Sequence, residues 1–277
     1  MQPQKASSDL FGFRAFYRNL RTAYRQASGL AAKLEVSPTP FELTRLGTSY
    51  GGWTFVDTDT LFESTIVSCG LGEDASFDVE FASRFHAKVI VVDPTPRAVL
   101  HFHQIAQRIG RKASGPYADS GKQPAEAYDL SALTSASLTL IDKALWTECK
   151  PVKLYMPDNP DFVSHSLMNG RSDGPAPRDF IEVNAVSLDA LLHSFALRDL
   201  PLLKLDIEGA EIEVIQDMLA KKIFPGQILV EYDEFRSSSK DSKRGIESAH
   251  AALLECGYRL IHFDYPSNFL YVRMDIV

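Results

Sequence analysis

The chain has 277 residues, 45% of them hydrophobic and 23% charged, with a formal net charge of −7. These values fit a soluble globular protein made of one large domain, alone or with an extension. They offer a nucleic-acid partner no electrostatic support, and no apolar run is long enough to cross a bilayer. Cys69, Cys149 and Cys256 lie far apart and are odd in number. They make neither a disulfide framework nor a zinc pattern, which fits a reducing, cytoplasmic setting.

In chain order, the stretch "FGFRAFYRNLRTAYRQASGLAAKL" comes first. Its Arg14, Arg18, Arg21 and Arg25 recur every three or four residues and share one helical face. Either this amphipathic helix packs on its own domain, or it lies on a membrane surface or serves as a transit segment. The expected division is a helical extension over residues 1–46 and a main domain over 47–277. After Leu61, short apolar runs predict strands at Thr65–Ser68, Val89–Val92, Leu138–Ile141, Leu202–Ile207, Ile228–Glu231, Arg259–Phe263 and Phe269–Arg273. Helical spacing predicts Ala75–Arg84, Arg97–Ile109, Leu188–Ser194, Ala210–Ala220 and Lys243–Cys256 between them. This alternation implies a mostly parallel sheet covered on both faces. Only "DYPSN" separates the last two strands, so they return antiparallel. "VKLYM", from Val152, alternates and is expected to hairpin onto the strand ending near Ala144. Two polar segments, from Arg111 and from Met156, are long enough to be lids or binding loops.

The chemistry begins at "TIVSCGLGEDASFDVEF". Gly70-Leu71-Gly72-Glu73-Asp74-Ala75 reads G-x-G-x-x-A between a predicted strand and a helix. Asp93 ends the next strand about twenty residues on, as a dinucleotide fingerprint requires. The glycines permit close backbone approach to a ligand, and Asp93 suits the two hydroxyls of an adenosine ribose. Glu73 and Asp74, however, stand where a pyrophosphate would meet the helix N-terminus. S-adenosylmethionine has an adenosine without phosphate and carries a sulfonium and an ammonium, which an acidic turn suits. Its carboxylate would use the turn's backbone N–H groups. The acids also favour the helix dipole, whatever the ligand.

"LLKLDIEGAEIEVI" from Leu202 is a strand, a turn at Glu208-Gly209 and a helix, and "ILVEYDEF" from Ile228 is the next strand. Ligands of open α/β sheets sit outside the carboxyl ends of the strands, and those ends here carry Glu73, Asp93, Asp206, Glu208 and Glu231. Together with "YGGW", "VSCGLGEDASFD", "VVDPTP" and "NPDFVSHSL", in that order along the chain, these stretches resemble the FkbM family of S-adenosylmethionine-dependent methyltransferases. The resemblance runs from about Gly47 to Arg273. It implies a class I methyltransferase (Rossmann-like) fold, with a seven-stranded, mostly parallel sheet and an antiparallel last strand. It also implies O-methylation of a hydroxyl on a sugar, polyketide or other metabolite, the acceptor being a small molecule or glycan. Cys69 departs from the small or acidic residue many methyltransferases carry there. The expected cofactor contacts are Cys69, Gly70, Leu71, Gly72, Glu73, Asp74, Asp93, Pro94, Ala144 and Asp206.

A hydroxyl needs a base to attack at neutral pH. The candidates are Asp206, Glu208, Glu231 and His165, the last in the loop from Asn159 to Asp179, which is expected to close over the site. His101 and His103 stand two apart on a helix and point apart, so they are not a chelating pair. No metal ligands are assigned, and a metal-dependent variant in which Asp206, Glu231 and Asp233 supply hard oxygen ligands stays open. A nicotinamide-dependent oxidoreductase and a non-catalytic protein of the same fold remain the rival readings.

Overall fold

The computed structural model describes residues 32, 34–155, 179–236, 240–264 and 267–275. The expected N-terminal helical extension, His165 and nearly all of the expected lid lie outside the described residues. Twelve strands occur among the described residues: β1 Leu43–Leu46, β2 Trp53–Val56, β3 Thr65–Cys69, β4 Lys88–Val92, β5 Leu138–Ile141, β6 Ala144–Leu145, β7 Pro151–Tyr155, β8 Phe180–Val186, β9 Leu202–Leu205, β10 Gln227–Glu231, β11 Tyr258–Asp264 and β12 Asn268–Arg273. The α-helices are α1 Ser76–Phe85, α2 Pro96–Ala106, α3 Leu188–Ser194, α4 Glu211–Ala220 and α5 Lys240–Glu255. Seven strands form one sheet in the order β11-β12-β10-β9-β3-β4-β5. The pairs β10/β9, β9/β3, β3/β4 and β4/β5 are parallel. β12 runs antiparallel to both neighbours, β10 and β11. All seven predicted strands are in this sheet, with the expected antiparallel return.

Alternation along the strands sorts the core into two layers. Val67, Cys69, Ile90, Val92, Leu203 and Leu205 meet α3, α4 and α5 through Leu188, Leu191, Ile212, Ile215, Met218, Ile246 and Leu253. Ile66, Val89, Val91, Leu202 and Leu229 face the other way, towards α1, α2 and β2. On α1, Phe77, Phe81 and Phe85 recur every four residues and so share one stripe. Phe55 of β2 stands edge-on to all three, at centroid distances of 6.2, 5.5 and 5.8 Å. His86 ends the helix in the left-handed conformation, φ 49°.

Two smaller sheets were not anticipated. β1 and β2 form an antiparallel hairpin, and Ala32 and Leu34 pack into the first core layer. The expected division after residue 46 therefore falls between two paired strands. β8 pairs antiparallel with β7 and parallel with β6. The described part of that stretch, Val152 to Tyr155, pairs antiparallel with β8 and not with the strand near Ala144. β8 lies past the long insertion, so its partner is remote in sequence, and register of that kind is set by tertiary packing.

Candidate active site

Strand register places the candidate residues in a row. Cys69 is level with Val92 on β4 and with Leu205 on β9, and Leu205 is level with Val230 on β10. One residue further on, at the carboxyl edge, Asp93, Gly70, Asp206 and Glu231 therefore stand side by side. The row is pinned by Gly70 N donating to Val92 O (3.0 Å) and Asp206 N donating to Cys69 O (3.1 Å). The sheet grows outward in opposite directions from the β3–β9 junction, so this edge is the topological switch point where open α/β sheets bind ligands.

The glycine turn is held from within. Gly70 has φ +86°, and a Cβ on it would come within 1.8 Å of the Asp206 carbonyl oxygen. The β3 and β9 turns thus touch backbone to backbone. Gly72 has φ +57°, and a Cβ there would meet nothing within 4 Å. That open side is where a ligand can approach the turn.

The Asp93 carboxylate does more than await a ribose. Its Oδ2 accepts from Leu71 N (2.9 Å) and Gly72 N (3.0 Å), and its Oδ1 from Thr95 N (2.8 Å) and Thr95 Oγ1 (2.7 Å). Pro94 lies between these two residues and is half-buried. Asp74 is buried, and accepts from Thr48 Oγ1 (2.6 Å) and Ser76 N (3.0 Å). Its carboxylate closes the start of α1 and ties it to the β1–β2 connection. Glu73 pairs with Arg97 at 2.6 Å, with Lys122 at 3.8 Å. The acids are therefore largely matched by their own chain and do not present bare charge.

Other donors of the turn are also spent. Ala75 N donates to Tyr128 Oη (2.9 Å), and Asp74 N to Leu71 O (3.4 Å). Tyr128 Oη in turn lies 2.8 Å from His101 Nε2. Either the ring nitrogen or the phenol hydroxyl can donate across this contact. Burial pushes the His101 pKa down, which favours the neutral ring. His103, by contrast, is exposed, so the two histidines do point apart. The N–H groups of Leu71, Gly72, Asp74, Ala75 and Ser76 thus all have internal acceptors. Of the turn amides expected to meet a ligand carboxylate, these five are already engaged within the chain.

Asp206 lies at the centre of the row with its side chain 32% exposed. Desolvation pushes its pKa up to about 7, and the charges of Glu231, Asp233 and Asp93 add to the rise while Lys204 opposes it. A carboxylate so placed can take a proton near neutral pH. Glu231 is fixed beside it, its Oε1 accepting from Ser267 Oγ at 2.6 Å. Glu208 has φ +57°, a left-handed conformation uncommon outside glycine, in the turn after β9. That turn is closed by buried Glu211, which accepts from Ile207 N (2.8 Å) and Gly209 N (2.9 Å). Leu71 and Cys69 are buried, and burial also pushes the Cys69 thiol up, so it packs and does not react. Ala144 is buried in β6, three residues beyond the end of β5, the strand beside β4.

Among the described residues no group of three or more His, Cys, Asp or Glu is arranged to hold a metal ion, and no helix is long and apolar enough to cross a membrane. The three cysteines are free. One residue of the site escaped the sequence reading: Lys204, a buried lysine in a central strand. Its signal was present, as the single charge inside the apolar run "LLKL".

No curated protein matches the chain. The family model described as Methyltransferase FkbM domain matches residues 142–260, which span β9, the Asp206–Glu208 turn and Glu231 but begin after the glycine turn and Asp93. The part of the edge that carries Asp206 and Glu231 thus lies in a stretch similar to the FkbM methyltransferase domain.

Proposed function

We propose that the protein is an S-adenosylmethionine-dependent methyltransferase that acts on a hydroxyl of a small-molecule or glycan acceptor. The observation that carries this reading is the row Asp93, Gly70, Asp206 and Glu231 at the switch point of the sheet. S-adenosylmethionine, when bound, supplies a methyl group already activated on a positively charged sulfonium. The residues present fit such a group. Gly72 leaves its side of the turn open to close approach, Asp93 stands at the ribose position of the fingerprint, and Asp206 and Glu231 suit a cationic ligand. Asp206 would hold the acceptor hydroxyl and take its proton. Glu231, anchored by Ser267, would keep the pocket negative.

The donor tally bears on the rival oxidoreductase reading. A dinucleotide pyrophosphate needs free N–H groups at the helix start, and those of Asp74, Ala75 and Ser76 already serve their own chain. A non-catalytic role gives no reason for a carboxylate of raised pKa at the centre of the edge. Calorimetric titration with S-adenosylmethionine, S-adenosylhomocysteine, NADH and NADPH, with and without magnesium, tests the reading. Binding of the first two alone is expected. Tight NADH binding with no response to S-adenosylhomocysteine would overturn it.

A further inference from the structure

Lys204 stands in the middle of β9, level with Ser68 on β3, and only 3% of it is exposed. Alternation turns it to the same face as Leu202, towards α1 and the β1–β2 hairpin. A buried ammonium in a central strand is unfavourable by several kcal/mol unless its surroundings compensate. Here its Nζ donates to the carbonyl oxygens of Gly70 and Cys69, the latter at 3.3 Å. The Asp206 carboxylate lies 3.7 Å away, and the Trp53 ring centroid 5.4 Å. On α1, buried Asp78 is pushed up by desolvation, and Lys204 is the largest influence opposing that rise. The charged and titratable groups around the ammonium are thus Asp206 on its own strand, Asp78 on α1 and the Cys69 thiol on β3, with Asp93 further out on β4.

Two of these contacts are to the backbone of the glycine turn, and one is to the residue proposed as base. An apolar residue at 204 would satisfy the core and leave both carbonyls without this donor. We propose that Lys204 is a positioning residue: its ammonium clasps the carbonyls of Cys69 and Gly70 and holds Asp206 beside them, so that the cofactor turn and the base keep one fixed relation. The part of this that concerns cofactor and base rests on the methyltransferase reading above. The clasp itself does not.

The test uses the full chain with Lys204→Met, Lys204→Gln and Lys204→Arg, and two readouts. The first needs no ligand: hydrogen exchange of peptides spanning residues 65–75, compared with the rest of the chain. Faster exchange of the Leu71 and Gly72 amides in Lys204→Met, with the melting midpoint unchanged or higher, is expected, because removal of a buried charge is often neutral or stabilising. The second is S-adenosylhomocysteine affinity, expected to fall about ten-fold or more in Lys204→Met and to stay near wild type in Lys204→Arg. Should Lys204→Met fail to fold, Lys204→Gln against Lys204→Arg gives the same comparison, since glutamine fills the space without the charge. Wild-type exchange throughout residues 65–75 in the apolar or glutamine variant would overturn the clasp. Wild type that does not bind S-adenosylhomocysteine, with the exchange effect intact, would overturn the methyltransferase reading and leave the clasp standing.

Discussion

Asp206 concentrates the residue-scale chemistry, and its raised pKa has two opposite consequences. A base works only when ionised, so turnover should rise with pH up to about 7 and level off above, following the folded-state value. A pH–rate profile at saturating substrate checks this, and a flat profile between pH 5.5 and 8 would remove Asp206 from the role. Stability runs the other way. The folded protein keeps the proton up to about pH 7, whereas the unfolded chain releases it near the ordinary 3.8. Between those values the native state binds more protons, so this group's contribution to stability falls as pH rises through the window. Asp206→Asn should therefore abolish most turnover while leaving the melting midpoint at pH 8 unchanged or higher. Asp93 differs in kind, because its carboxylate accepts from Leu71 N and Gly72 N as well as from Thr95. Asp93→Ala should weaken S-adenosylhomocysteine about ten-fold or more, at roughly 1.5–3 kcal/mol per charged hydrogen bond lost. Calorimetry on the folded variant measures it, and unchanged affinity would move the ribose site elsewhere. The sequence names these carboxylates correctly as strand-end residues. What it cannot show is how many of their oxygens the chain itself occupies, as with Asp74, which reads as a ligand-facing acid and is an internal tie.

Elements differ in how far pattern alone defines them. The seven sheet strands and five helices are legible because each carries its own periodicity and its own turn residues. The β1–β2 hairpin and β8 are not. "LTRL" and "WTFV" are only four residues each, and their strand character comes from the layer they pack on. β8 alternates polar and apolar residues weakly, and its partner lies across a long insertion. The glycine turn shows a further limit. Sequence marks Gly70 and Gly72 as equivalent members of one motif, yet the two have separate duties. A Cβ at position 70 would strike the Asp206 carbonyl, backbone against backbone, whereas one at position 72 meets open space. Gly70→Ala should therefore damage the fold itself, seen as a large fall in melting midpoint or in soluble yield. Gly72→Val should keep most of the fold, with some strain from its positive φ, and lose S-adenosylhomocysteine binding. If Gly72→Val bound normally, the open side of the turn would not be the approach used by the ligand.

At the largest scale described, the seven-stranded sheet has a carboxyl edge, where the proposed site lies, and an opposite edge that has only to hold together. β10 joins the two: Glu231 ends it in the proposed site, and Gln227 begins it at the far side. The two are four residues apart, about 13 Å along a strand at roughly 3.3 Å per residue. At that far end the β1–β2 hairpin is fastened by one side chain. Gln227 Oε1 accepts from Val56 N (2.9 Å), and its Nε2 donates to Val56 O (2.8 Å), so the amide imitates a neighbouring strand. Gln227 is 3% exposed and Val56 1%. Water is therefore not at hand to replace the amide. Gln227→Leu keeps the side chain's bulk but strands a buried N–H and a buried carbonyl. Each such group costs about 1–3 kcal/mol, and for a chain of this size each kcal/mol shifts the melting midpoint by roughly 2–4 °C. A fall of about 4–24 °C is expected by calorimetry or circular dichroism. At 20 °C the folded variant should still bind S-adenosylhomocysteine within about two-fold of wild type, because sites this far apart with no shared partner behave independently. An unchanged midpoint would mean that the hairpin is held by its aromatic contacts with α1 and that the amide bridge adds nothing. A large loss of affinity at 20 °C would mean that the hairpin transmits to the edge of the proposed site, through Trp53 and the lysine beneath it.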